Sequence, residues 1–385
     1  MAEDNVLPIP NLTLPQQYYT LLQPSLSTLH AAARTSLLEG IKADSMAPYY
    51  RLVTAAGALN MDEELLKQME KQNEEELEKL DKRLKDAEET EGESEIGDAL
   101  KAKAAYLTKI GEREKAIEAQ TLALDKTPGL GSRIDITLTL VRIGLFFADI
   151  PLITSNLTKA ESLVDEGGDW DRRNRLKVYS GLHALSIRKF RQASDLFIDA
   201  LSTFTATELL SYNDFVALTV ISAVLTLNRV DLKKKIIAAP EVNQVLPELP
   251  VLADVTKSLY DCHYDKFFVA LATLEQTHLL PSRLLAPHAR YYVREMRILA
   301  YTQLLESYRS LTLESLSRAF GVSVEFMDTE LSRFIASGRL HASIDKVHGI
   351  VETNRPEVKN AQCETVLRKG DVLLNSVQRL SKVLY

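Results

Sequence analysis

Residues 311–356 read LTLESLSRAFGVSVEFMDTELSRFIASGRLHASIDKVHGIVETNRP. Thr312 is placed to cap a short helix that Gly321 ends, and Ser323 to cap a second that Gly338 stops. Phe326, Leu331, Phe334 and Ile335 fall on the inward side of that second helix. Leu340, Ala342 and Ile344 then alternate with polar residues, the period of a half-buried strand. A turn near Lys346 leads to GIVET, residues 349–353, a second strand. Helix, turn, helix and hairpin make a winged helix.

Upstream of this module the pattern is helical throughout. AAYLTKIGEREKAIEAQTLALDKTPG (104–129), VRIGLFFADIPLITSNLTKAESLVDEGG (141–168) and HALSIRKFRQASDLFIDALSTF (183–204) each read as two helices joined by a turn. Ala116, Ala160 and Ala193 are expected to open the second helix of each pair, where a small side chain lets two helices approach closely. Such pairs cannot bury their apolar faces alone, so they stack into a solenoid. Asn213 to Leu227 is apolar enough to be central. The fold class is therefore mainly α: a right-handed solenoid of helical-pair, tetratricopeptide-like repeats, a small α+β winged helix, and a C-terminal helix.

The only tryptophan lies in VDEGGDWDRRNRLKVYSGL (164–182). Asp169 or Asp171 is a good N-cap there, and Leu176, Tyr179, Leu182 and Ile187 set the stripe of the helix that follows. Trp170 is expected to pack back onto the preceding pair. Arg172, Arg173, Arg175 and Lys177 lie between the apolar positions, so they are expected to meet carboxylates of neighbouring helices rather than phosphates.

Residues 61–95 are charged and mostly acidic, with one narrow seam of Leu66, Met69, Asn73, Leu77, Leu80, Leu84 and Ala87. The reading is a long exposed helix paired along that seam, supported by Glu75–Lys79, Glu78–Lys82 and Asp81–Lys85 at the i,i+4 spacing. Residues 1–17, acidic and broken by proline, read as a mobile arm. At the other end Cys363, Val366, Gly370, Leu373, Val377, Leu380 and Leu384 alternate three and four apart, a coiled-coil seam. Gly370 is expected to break it and Asp371 to cap a short final helix. The organisation expected is an N-terminal arm and helices (1–60), a charged helix (61–95), repeats (96–300), the winged helix (301–356) and a helical tail (357–385).

The chain of 385 residues has a net charge of -7, without the basic footprint of a nucleic-acid binder. The helix that would enter a major groove carries Glu325, Asp328 and Glu330 against Arg333. Arg339, Lys346, His348 and Arg355 leave the wing mildly basic. Two distant cysteines, Cys262 and Cys363, suit a reducing compartment. No apolar run reaches the roughly 20 residues that span a bilayer. There is no GxxxxGK[ST] loop, no HExxH or HxH pair and no GxSxG elbow. Cys262 and His263 are adjacent and point apart on a helix. His288, after Pro287, reads as a residue that helps start a helix. No cofactor, metal or catalytic constellation is expected, and no membrane or nucleic-acid partner.

Repeats leading into a winged helix and a terminal helix resemble the PCI-domain proteins. GESEIGDALKAKAAYL (92–107), the Trp170 stretch, LLAPHARYYVREMRILAYTQLLESYRSL (284–311) and KGDVLLNSVQRLSKVL (369–384) resemble the 26S proteasome non-ATPase regulatory subunit 6 family. These are PCI subunits of the regulatory-particle lid. The resemblance covers about residues 45–385, and the first 40 or so match poorly. It implies a non-catalytic scaffold in cytoplasm and nucleus, whose partners are other PCI lid subunits, the lid deubiquitinase subunits and the ATPase ring. In that role Leu340, Ala342 and Ile344 of the hairpin and Leu373, Val377, Leu380 and Leu384 of the tail are the expected partner-binding residues. The first subunit of the COP9 signalosome shares the plan and is the alternative. A winged-helix nucleic-acid adaptor is a third reading.

Overall fold

The computed structural model describes residues 8–90, 92–354 and 358–384. The helices are α1 (Thr13–Leu22), α2 (His30–Ala43), α3 (Ala47–Ala55), α4 (Glu63–Thr90), α5 (Glu93–Ile110), α6 (Arg113–Lys126), α7 (Leu130–Phe147), α8 (Ile150–Gly167), α9 (Trp170–Ser186), α10 (Phe190–Ala200), α11 (Tyr212–Thr226), α12 (Arg229–Leu232), α13 (Pro240–Val245), α14 (Pro250–Tyr260), α15 (Tyr264–Leu274) and α16 (Ala289–Ser307). After them come β1 (Ser310–Thr312), α17 (Leu313–Phe320), α18 (Val324–Ala336), β2 (Ala342–Asp345), β3 (Ile350–Thr353) and α19 (Val358–Leu384). Two compact units form: residues 1–260 with 270–293, and residues 261–269 with 294–385.

In the first unit each helix pair reverses in the same way. Gly111, Ala148 and Arg188 take left-handed backbone angles, φ +77°, +59° and +64°. The next residue donates its N–H to the carbonyl five back: Glu112 to Leu107 at 3.3 Å, Asp149 to Gly144 at 2.9 Å, Lys189 to Ala184 at 2.8 Å. This is the Schellman closure of a helix C-terminus, which satisfies an orphan carbonyl and turns the chain. Only Gly111 announces it in the sequence. There a Cβ would come within 2.9 Å of the Met46 methyl and 3.3 Å of the Tyr49 Cβ, so the left-handed angle is what favours glycine and the space around it is tight.

Five residues after each turn the second helix touches the first. Those positions hold Ala116, Ile153 and Ala193. Ala116 and Ala193 are buried as expected. Ala160, although buried, lies deep inside α8 and does not open it. In that pair the small residue is on the first helix instead: Gly144 faces Ile153, and a Cβ on it would stand 2.7 Å from the Ile153 side chain. In the third pair Gly181 lies against the Phe197 ring, at 2.3 Å for an added Cβ. α11 is the central helix, with every residue from Phe215 to Val224 buried. Tyr292 donates to the Ile221 carbonyl at 2.9 Å, and the His288 ring lies 3.0 Å from the Ser186 carbonyl, fixing the start of α16.

The charged segment forms one helix of 28 residues, α4. Leu66, Met69, Asn73 and Ala87 of its seam are buried, and Leu77, Leu80 and Leu84 half-buried; Leu66 and Met69 pack with α2 and α3, Leu77 and Leu84 with α5. Tyr106 donates to the Asn73 amide oxygen at 3.0 Å, and Lys103 meets Asp81 at 2.6 Å. Lys79 pairs with Glu76 rather than with Glu75. The expected arm is docked from its helix onward. Leu14 is 1% exposed, and Gln16 donates to the Pro281 carbonyl at 2.6 Å and accepts from Arg283 N–H at 2.9 Å. Residues 1–7 lie outside the described residues.

Asp169 caps α9, accepting from Arg172 N–H at 3.2 Å. Trp170 does not pack back: it is 62% exposed. The reason is phase. Counting four back from Leu176 along the buried stripe reaches Arg172, not Trp170. The Arg172 guanidinium takes the inward place, bridging Asp135 of α7 at 2.6 Å and Asp169 at 2.7 Å. Its pKa is raised, first by the hydrogen bond to Asp135. Arg175 pairs with Asp171 and Lys177 with Asp199 of α10, so three of the four basic residues are held by carboxylates.

The approach of α9 to α10 yields a test. Gly181→Ala puts a methyl into the Phe197 ring. Overpacking costs about 1–3 kcal/mol, more than the roughly 1 kcal/mol that alanine gains over glycine in a helix. Urea unfolding of G181A is expected to show a lower midpoint with an unchanged slope. A midpoint at or above wild type would show that the two helices separate freely.

Candidate assembly surfaces

The second unit is built around a winged helix. Thr312 caps α17, accepting from Ser315 N–H at 3.2 Å, and Ser323 caps α18, accepting from Phe326 N–H at 3.3 Å. Gly321 ends α17 at φ +66°. Leu331 and Phe334 are buried as the pattern requires, whereas Phe326 is 41% exposed. Phe326 belongs to the first turn, one residue before the buried row Met327, Leu331 and Phe334. Tyr264, Phe268, Tyr301 and Phe320 stack into one aromatic cluster, with Tyr264 and Phe320 centroids 4.9 Å apart.

The hairpin has a third strand. β1 pairs antiparallel with β3 in the register Leu311 to Val351, and β3 pairs with β2 in the register Val351 to Ile344. β3 is thus central, not an edge. Sequence reasoning missed β1 because it has three residues, the last of which is also the cap of α17. Of the expected hairpin contacts, Leu340 and Ala342 are buried in the unit's own core and Ile344 is half-buried. β2 is an edge strand, and a groove of about 1060 Å³ beside its first residue is lined by Ile335, Leu340, Ala342, Thr353, Asn354 and Glu364.

Two buried carboxylates in this unit were not anticipated. Glu330 of α18 accepts from the Tyr301 hydroxyl and pairs with Arg297 at 2.7 Å. Burial and that bond raise the Tyr301 pKa. Glu295 pairs with Arg339 and with Arg294 at 3.2 Å. The available signal was a carboxylate inside an apolar row: Met327, Glu330, Leu331, Phe334. Lys346 meets Asp328 at 3.1 Å. His348 bonds Asp345 at 2.6 Å, which together with the backbone N–H groups of Val347 and His348 holds that carboxyl below its usual range. Arg339, Lys346 and His348 thus each face a carboxylate of the same unit. Arg355 lies outside the described residues.

α19 is a single helix of 27 residues, about 40 Å long. Gly370 does not break it and Asp371 does not cap a new one. A glycine inside an exposed helix costs about 1 kcal/mol, less than the neighbouring turns supply. Val366 (69%), Leu373 (67%), Val377 (58%) and Leu380 (60%) are all exposed, as are Leu367 and Leu374 beside them. Leu384 closes the same helix. The apolar stripe is wider than the two-position seam the spacing suggested, and wide enough for more than one partner helix.

Among the described residues no three His, Cys, Asp or Glu side chains converge as a metal site, and no helix is long and apolar enough to cross a membrane. The Cys262 sulfur accepts from the Gln303 amide at 3.1 Å.

The family model described as 26S proteasome subunit RPN7 matches residues 62–235, and the PCI domain model matches residues 262–355. The 26S proteasome non-ATPase regulatory subunit 6 homolog of Arabidopsis thaliana is 44% identical over 376 residues, 97% of each chain. The chain belongs to the 26S proteasome non-ATPase regulatory subunit 6 family. The Dictyostelium discoideum member is 42% identical over 383 residues, 99% of each chain, so the likeness includes the first 40 residues as well. COP9 signalosome complex subunit 1b of Drosophila melanogaster is 24% identical over 300 residues, 76% of this chain and 57% of its own. The PCI match takes in α15 and α16, and α16 supplies Glu295, Arg297 and Tyr301.

Glu330→Ala tests the buried network. It strands the Arg297 guanidinium and the Tyr301 hydroxyl. Breaking a buried pair costs about 3–5 kcal/mol, and the partial exposure of Arg297 brings the expectation to about 2 kcal/mol. Guanidinium unfolding should show a loss of that size. A change under about 0.5 kcal/mol would mean that the network adds nothing to stability.

Proposed function

We propose that the chain is a non-catalytic structural subunit of the 26S proteasome lid. It scaffolds the lid by contacts between PCI winged helices and by joining its terminal helix to a helix bundle, and so serves ubiquitin-dependent protein degradation. Its partners are other PCI lid subunits, the lid deubiquitinase subunits and the ATPase ring, in cytoplasm and nucleus. The observation that carries this reading is α19. Its apolar residues are more than half exposed, and a helix that polar overall is not stabilised by its own packing. The membership of the proteasomal family supplies the kind of assembly in which such a stripe is covered. The open β2 edge beside its groove suits strand addition by a neighbour, with the backbone rather than Leu340 or Ala342 making the contact.

Leu373, Val377 and Leu380 changed together to Asp provide the test. The tagged variant is expected to be missing from proteasomes isolated under native conditions, as read by native mass spectrometry. The purified variant should keep the far-ultraviolet circular dichroism of the wild type. Normal incorporation, or peptidase or ATPase turnover by the purified chain, would overturn the reading.

A further inference from the structure

A cavity of about 620 Å³ lies within the first unit, between the start of α1, the end of α7, α11 and the turn over residues 277–285. That is a size typical of small-molecule sites. Leu145, Leu182, Leu209, Leu218, Ile221 and Leu285 form its apolar wall, and all but Leu145 are buried. Among its described lining residues Arg283 is the one permanent cation. Its backbone N–H is held by Gln16, and its half-buried guanidinium is anchored through Nη2 alone. That nitrogen donates to the Leu145 and Phe146 carbonyls at 2.8 and 3.1 Å, in the last turn of α7.

Elsewhere the inward-facing arginines meet carboxylates: Arg172 with Asp135, Arg297 with Glu330. Among the described residues Arg283 makes no ion pair, and its Nε and Nη1 have no protein partner. Burial lowers its pKa, as for a charge that neutral carbonyls compensate only in part. The two carboxylates lining the cavity are engaged otherwise. Glu208, 6% exposed, accepts from the Tyr179 hydroxyl at 3.0 Å, and Arg142 and Arg175 act electrostatically on that same hydroxyl. Asp214 is exposed and accepts from the Ser211 hydroxyl at 2.7 Å. It stands in the first turn of α11, where the helix dipole favours a negative charge. His278, its pKa lowered by burial, is mostly neutral at pH 7.

We propose that this cavity binds a small monocarboxylate carried on an apolar chain, of the medium-chain fatty acid class. The carboxylate accepts from the Arg283 N–H groups that the α7 carbonyls leave open, and the chain lies along the leucine wall. Hydrogen bonds between two ionised groups are the strong kind, and a partly desolvated site strengthens them further. The inference goes beyond the scaffold role. Its test uses the isolated full chain, so it can fail while incorporation into the proteasome stands, and the reverse.

The probe is octanoate, titrated into the wild-type chain and followed by calorimetry. Saturable one-site binding is expected, with a dissociation constant of about 100 μM or tighter. Octanol and octylammonium have the same chain without the carboxylate and should bind at least about tenfold more weakly. Arg283→Met keeps the apolar stem, and should weaken octanoate at least about tenfold while leaving octanol unchanged. Arg283→Lys keeps the charge and should weaken octanoate less. Leu210→Trp adds bulk at the cavity lining and should weaken octanoate and octanol alike. Arg191→Met, on the exposed face of α10, should bind as the wild type does. Circular dichroism shows which variants are folded, and if Arg283→Met is not, Arg283→Lys and Leu210→Trp decide. The proposal is overturned by an absence of saturable octanoate binding, or by octanol or octylammonium binding as tightly. Undiminished octanoate affinity in the folded Arg283 or Leu210 variants, or equal weakening by Arg191→Met, overturns it too.

Discussion

The repeat region depends on how tightly two helices can be brought together just beyond a turn. The Schellman bond at Gly111, Ala148 and Arg188 sets the reversal. It leaves the same register each time, so the residue five further on must meet the preceding helix. Ala116 and Ala193 meet it with a small side chain, and Ile153 meets it because Gly144 makes room. The constraint acts on the pair, not on a position. Stacking the pairs then buries what each leaves open, with α11 buried almost throughout.

That distinction explains what the sequence disclosed. Features held by neighbours a few residues away were legible: the caps Asp169, Thr312 and Ser323, the C-terminal Gly321, the seam of α4. Each is a local hydrogen bond or a local period. Features decided at a distance were not. Residues 13–17 look like part of a mobile arm until Gln16 finds the backbone of Pro281 and Arg283. Trp170 looks like an anchor until Arg172 claims the inward position with a carboxylate from another helix. Ala148 and Arg188 give no sign of left-handed geometry, because packing on both sides, not residue preference, holds them there.

The winged helix shows the same division in its electrostatics. Its caps and strands follow from pattern, but the destination of its charges does not. Arg339, Lys346 and His348 look like a basic wing in the sequence. In the fold each has a carboxylate, in Glu295, Asp328 and Asp345. Affinity for nucleic acid comes mainly from cations free to meet phosphates. In this winged helix the three described basic residues of the wing face carboxylates of their own unit, and the second helix carries Glu325, Asp328 and Glu330 against Arg333.

What remains unspent is therefore informative. The second unit satisfies its buried carboxylates and its aromatic cluster by itself, yet α19 carries an uncovered apolar stripe from Val366 to Leu380, about 21 Å long. Leaving it in water forgoes the largest favourable term available to a folding chain. A stripe of this width and regularity is maintained where the helix is covered in its working state. In the proposed scaffold the cover comes from the helix bundle that α19 joins. The chain's stability and its incorporation are then coupled through one surface, and a subunit left out of the assembly is the one exposed to aggregation.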